Sequence, residues 1–120
     1  MNSITTKRIY DQKARTDGFR ILVDRLWPRG VKKENAEIDA WFKETAPSSE
    51  LRKWFAHDPE KWEAFKNKYN EELKGNEAVD ELMALIKKHH RITLVYAAKD
   101  EQHNQAIVLK QYLERKQKNK

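Results

Sequence analysis

Asp24, Arg25, Trp27 and Arg29 fall within six residues, directly after the apolar run Ile21-Leu22-Val23. Each type carries a distinct chemistry. An arginine presents a planar fork of donors that matches phosphate or carboxylate. An aspartate can accept hydrogen bonds or move a proton. An indole can wall a pocket or stack on a guanidinium. Pro28 and Gly30 then stop the segment. Such a run reads as a strand followed at once by a polar exit, and in open α/β sheets ligands bind at strand exits. The expected role is anion binding by Arg25 and Arg29, with Trp27 as a wall and Asp24 as an acid or base. The alternative is structural: Asp24 paired internally with an arginine, and Trp27 as core.

Two further clusters could share that rim. Asp100, His103 and Asn104 follow a second apolar run. At spacings of three and four they would share one helix face, with His103 able to act as acid or base near neutral pH. Here the alternative is a capping Asp100 and exposed polar neighbours. The segment Ser48-Ser49-Glu50-Leu51-Arg52 ends at His57-Asp58-Pro59. Backbone amides after Ser48 could hold an anion with Arg52 one turn on, and His57 is another candidate acid or base. Capping roles for Ser48 and Asp58 are the plainer reading. The candidate catalytic residues are therefore Asp24, His57 and His103. The candidate ligand-binding residues are Arg25, Trp27, Arg29, Ser48, Arg52, Asp100 and Asn104.

Other chemistries find no support. The chain has no cysteine, and its four histidines, 57, 89, 90 and 103, include no pair at a metal-binding helical spacing. Three glycines cannot build a dinucleotide or phosphate loop. No cofactor and no metal are expected.

These residues need elements to position them. Ile4–Ile9 reads as a strand in a less buried position, and Phe19–Asp24 and Arg91–Ala97 as strands covered on both faces. Trp62, Phe65, Tyr69 and Leu73 make one helical stripe that begins after Asp58-Pro59 and stops at Gly75. Asn76 caps a helix with Val79, Leu82, Met83 and Ile86 inward, and Asp100 caps a last one with Ala106, Leu109 and Leu113 inward. Ile38–Thr45 is read as a strand ending at Ala46-Pro47. Buried strands joined through helices require crossovers, hence a parallel sheet. The expectation is a single three-layer α/β/α domain over residues 1–113, with a mostly parallel sheet and four or more helices.

Residues 114–120 read as a basic tail. The chain of 120 residues carries a formal net charge of +6. Four basic residues against Glu114 place half of it in this tail. The alternative function is a nucleic-acid or protein binding module that uses the tail and the Lys87–Arg91 patch. That patch has no interleaved aromatic on which bases could stack. With no long apolar stretch, neither a membrane span nor a signal peptide is expected, and the setting is read as cytoplasmic.

Several stretches together resemble the YeaO-like family. They are Lys7-Arg8-Ile9-Tyr10-Asp11, Leu22-Val23-Asp24-Arg25-Leu26-Trp27-Pro28-Arg29-Gly30, Ala46 through Phe55, His57-Asp58-Pro59 and Asn104-Gln105-Ala106. This is a family of small bacterial proteins classed as a domain of unknown function. The resemblance spans nearly the whole chain and implies a compact α/β domain in a bacterial cytoplasm. It brings no substrate and no catalytic residue.

Overall fold

A strand that is apolar on both faces must be covered on both, and Arg91–Tyr96 takes the middle of the sheet. The structure, a computed structural model, describes residues 3–118. Four strands, β1 (Ser3–Arg8), β2 (Phe19–Leu22), β3 (Ala40–Trp41) and β4 (Arg91–Tyr96), form one parallel sheet in the order β1-β4-β2-β3. β4 pairs with β1 and with β2, Ile4 lying opposite Ile92 and Leu22 opposite Val95. Among the described residues there are five α-helices: α1 (Lys33–Ala36), α2 (Ser49–Phe55), α3 (Trp62–Lys74), α4 (Glu77–Lys87) and α5 (Gln105–Lys118).

The two faces differ. On the first, Ile21, Ile92, Leu94 and Tyr96 pack against Leu51, Phe65, Tyr69, Leu82, Ile86 and Leu109 of the longer helices. On the second, Leu22 and Val95 pack against Ile9, Ala36, Trp27, Ile38 and Trp41. The third layer is therefore thin, a loop with the single turn of α1 rather than long helices.

Several boundaries differ from the sequence reading. β2 ends at Leu22, two residues early. The Val23 amide still donates to the Val95 carbonyl (3.0 Å), and the chain then turns away. The expected strand at Ile38–Thr45 shrinks to Ala40–Trp41, because a 3-10 turn at Lys43–Thr45 follows directly. That turn is tied to α3 by the Tyr69 hydroxyl, which donates to the Thr45 carbonyl. Asp58 caps a 3-10 turn at Pro59–Lys61 that leads into α3. Asn76 caps α4 as expected. Asp100 does not cap α5. It accepts the Gln102 and His103 amides in a preceding bend, and Asn104 Oδ1 accepts the Ile107 amide instead. Residues 114–118 of the basic tail continue α5. The tail's last two residues, and the first two of the chain, lie outside the described residues.

One polar group holds the second face. Arg20 is 1% exposed, and its guanidinium donates to Asp17 Oδ2 at 2.6 Å and, through Nε, to the Glu37 carbonyl at 2.9 Å. Asp17 also receives Lys7 (3.0 Å) and the Ala14 amide (3.0 Å). Burial alone would raise its pKa, but the Ala14 amide, Lys7 and Arg20 together hold it below the ordinary carboxylate value. Gly18 lets β2 begin here. At φ 68° and ψ −136°, a side chain would be strained, and a Cβ would sit 2.4 Å from the Arg91 carbonyl oxygen. Removing one partner of this buried pair leaves the other charge uncompensated. We expect Asp17→Ala to cost about 3–5 kcal/mol in urea unfolding at neutral pH. An unchanged midpoint would mean that the pair does not hold this face.

Candidate functional site

Leu22 and Val95 are register partners in adjacent parallel strands, so Asp24 and Ala97, each two residues further on, leave the sheet side by side. The chain after β4 then returns as the bend 99–104 and α5, while Ala46 to His57 closes the other side. Between them lies a cleft of about 780 Å³. Asp24, Arg25, Arg52, His57, Asp100, His103 and Asn104 all line it. The sequence reading thus brings seven of its ten candidates to one place.

Three others are elsewhere. Trp27 is not a pocket wall: its indole donates to the Val31 carbonyl (2.6 Å) and meets Trp41 edge-on, on the second face of the sheet. Arg29 is exposed and outside the cleft, and its carbonyl accepts the Tyr10 hydroxyl. The reason is local. After Leu26 the chain crosses to the opposite face of the sheet, where Trp27 packs beside Trp41, and Arg29 follows it out of the cleft. Ser48 caps α2 by accepting the Leu51 amide (3.1 Å), the plainer role. No anion cradle is open there, because the Glu72 carboxylate already accepts the Ser48 amide (2.9 Å) and hydroxyl (2.6 Å).

Asp24 is the centre of the cleft. Its Oδ2 accepts the Ala97 amide at 3.1 Å, and its Oδ1 accepts the Gln105 side-chain amide. Burial pushes its pKa up to about 6, although the Ala97 amide, Gln105 and the Arg52 charge all pull it down. No internal Asp24–arginine salt bridge forms among the described residues. Gln105 escaped the sequence reading as a site residue. Its signal was its place in the first turn after a strand exit, next to Asn104.

The two cleft arginines behave differently. Arg25 is spent on structure: Nε donates to the Pro47 carbonyl (3.1 Å) and Nη2 to the Ala46 carbonyl (3.0 Å). Arg52 forms no side-chain hydrogen bond or ion pair among the described residues, and its Nε is buried without a partner. Lys53 and Lys99 stand exposed at the rim. His103 Nδ1 lies 2.9 Å from Asp100 Oδ2, and its ring meets Trp62 edge-on. Hydrogen bonds from the Gln102 amide and His103, outweighing a small burial effect, lower the Asp100 pKa. The Asp100 carboxylate can only accept, so His103 Nδ1 carries the proton in this pair, which sets the tautomer of the neutral ring and leaves Nε2 as its acceptor. Among the described residues no cluster of His, Asp and Glu could hold a metal ion, and no helix is long and apolar enough to cross a membrane.

The chain is similar to known bacterial proteins over nearly its whole length. It is 44% identical over 111 residues to the uncharacterized protein YeaO of Escherichia coli (strain K12), covering 92% of this chain and 96% of that one. It is 38% identical over 110 residues to uncharacterized proteins of Mycobacterium tuberculosis (strain ATCC 25618 / H37Rv) and Mycobacterium bovis, covering 92% of each chain. No solved structure gives a significant match. Residues 3–120 match the family described as "Inactive DUF488-N3 subclade", and the chain belongs to that family.

Proposed function

We propose that the protein binds a small anionic molecule, carrying phosphate or carboxylate, in the cleft at the exits of β2 and β4. The observation that carries this is Arg52, whose buried Nε has no partner. An unsatisfied buried donor costs about 1–3 kcal/mol, so a buried Nε left this way on a half-buried arginine is explained by a ligand that completes it. The cleft volume lies within the range of metabolite-sized sites. The reading is binding without turnover, which agrees with the word "Inactive" in the family description. In it Asp24, His57 and His103 contact or orient the ligand, and the roles expected of Arg29 and Trp27 pass to Arg52 and Phe55. A cytoplasmic setting, implied by the family resemblance, suits a small charged ligand.

A second reading retains the nucleic-acid or protein binding module. Lys87 and Lys116, one from each basic segment, line the same shallow groove with Asp80, Met83 and Ala84. Asp80 offsets part of that charge, and the groove holds no buried donor left unsatisfied among the described residues, so the cleft reading stands first.

Two measurements test the cleft. Sulfate titrated into the labelled protein and followed by amide NMR should shift the 97–105 and 46–57 signals. Arg52→Gln should weaken that binding at least about tenfold, roughly 1.4 kcal/mol, while Arg29→Ala stays within about twofold. Equal affinity in the Arg52 variant would remove the site. The second concerns Asp24. Its folded pKa, about 6, lies above the ordinary 3.8, so the native state binds the proton more tightly. Stability from that proton is present in full below 3.8 and lost as pH rises through 6. Near neutral pH the charge is held at a cost. Asp24→Asn should therefore be more stable than the parent at pH 7.5, by about 1–3 kcal/mol, with the gap shrinking at pH 4. Asparagine can still accept the Ala97 amide, and the Gln105 amide can flip to meet its NH₂. A destabilised variant at both pH values would make Asp24 an ordinary structural acceptor.

A further inference from the structure

The cleft is far larger than one anion needs, and much of its wall is apolar. Leu26, Ala46, Pro47, Phe55 and Phe65 line it beside Arg52. Leu26 is 63% exposed at the mouth, the most exposed large apolar side chain among the described residues. Phe55 and Phe65 are 5% and 2% exposed and stack with ring centroids 4.2 Å apart, so they form a rigid apolar floor under the cleft. The charge balance is also specific. Arg25, Arg52, Lys53 and Lys99 stand against Asp24 and Asp100, which leaves two positive charges uncompensated with both histidines neutral.

His57 adds an independent observation. Ala56 and His57 both hold left-handed backbone, at φ 47° and 57°. A helix end of this kind ordinarily uses glycine, and a non-glycine residue held so is strained. Among the described residues the His57 ring forms no hydrogen bond, although it lines the cleft and lies 6.2 Å from the Phe55 ring. The strained turn leaves an exposed imidazole at the cleft mouth, beside the apolar lining and five residues beyond Arg52.

We propose that the ligand is a phosphomonoester with an apolar ring-shaped body, its phosphate received by Arg52 and Lys53 and its ring lying along the apolar lining of Leu26, Ala46 and Pro47, with the His57 imidazole at its edge. This rests on the anion-binding reading and names its ligand class. A phosphomonoester carries nearly two negative charges at neutral pH, matching the uncompensated pair, and a carboxylate carries one. The ring fills the apolar remainder of the cleft and covers Leu26. His57 is a specificity-determining residue that contacts the body and not the phosphate.

The test compares phenyl phosphate, inorganic phosphate and benzoate by amide NMR titration or calorimetry on the full chain. Phenyl phosphate should bind at least tenfold tighter than either of the others. His57→Gly should raise the melting temperature, because glycine accepts the left-handed backbone, yet lose most of the advantage of phenyl phosphate over inorganic phosphate. Ala56→Gly should raise the melting temperature and leave all three affinities unchanged. If phenyl and inorganic phosphate bind alike and both depend on Arg52, the ligand class is wrong while the anion site survives. Binding of neither overturns both readings. A His57→Gly variant that is more stable and keeps the full preference makes His57 a turn residue only.

Discussion

The Asp24 carboxylate joins three elements that the sequence leaves far apart. One oxygen takes the amide of Ala97 at the end of β4, and the other takes the Gln105 side chain at the start of α5. β2, from which Asp24 itself emerges, is thereby closed onto both. Everything in the cleft is placed relative to this junction: Asp100, His103 and Asn104 on the returning chain, Arg52 and His57 on the wall that faces it. The junction is held at a cost, since burial disfavours the charged form of Asp24 more strongly than its two donors and Arg52 favour it. A purely structural clamp would be served as well by a neutral acceptor. A titratable acid beside an unpartnered guanidinium is the pattern of a site whose charge balance is completed by something that binds.

The two arginines show how one residue type divides its labour. Arg25 donates to the carbonyls of Ala46 and Pro47, directly after the 3-10 turn at Lys43–Thr45, and so fastens the 46–57 wall to the exit of β2. Arg52, one helical turn into α2, meets no acceptor. The first builds the cleft and the second remains free to receive a ligand. On the opposite face of the sheet Arg20 builds in the same way, tying Asp17, Glu37 and Ala36 into a buried polar core beneath the thin loop layer.

The sheet and its long helices were legible because burial on both faces leaves continuous apolar runs and helical burial leaves a stripe. Phe19–Leu22, Arg91–Tyr96, and Trp62 through Leu73 carry those patterns plainly. The convergence of Asp24 with Asp100–Asn104 followed from parallel neighbouring strands alone. What escaped is tertiary. Nothing local says that the chain crosses the sheet after Leu26, so Trp27 and Arg29 looked like rim residues. Glu72 lies 24 positions from Ser48, and no spacing announces that it already fills the end of α2. Arg20 reads as a polar interruption of a strand, although its burial is nearly complete. Ile38–Thr45 has the composition of a strand, but the tie from Tyr69 to Thr45 turns the chain after two residues.

The account stands on an electrostatic link between Asp24 and the anion site at Arg52, and the link is reciprocal. An anion on Arg52 removes the pull that this arginine exerts on the Asp24 carboxyl. Carbon-13 NMR of the aspartate carboxyl groups, titrated with and without saturating sulfate, reads it directly. The account predicts a midpoint near 6 for Asp24 that moves to higher pH with sulfate and does not move in Arg52→Gln. An Asp24 midpoint near 3.8, or one unmoved by sulfate in the parent protein, would contradict it.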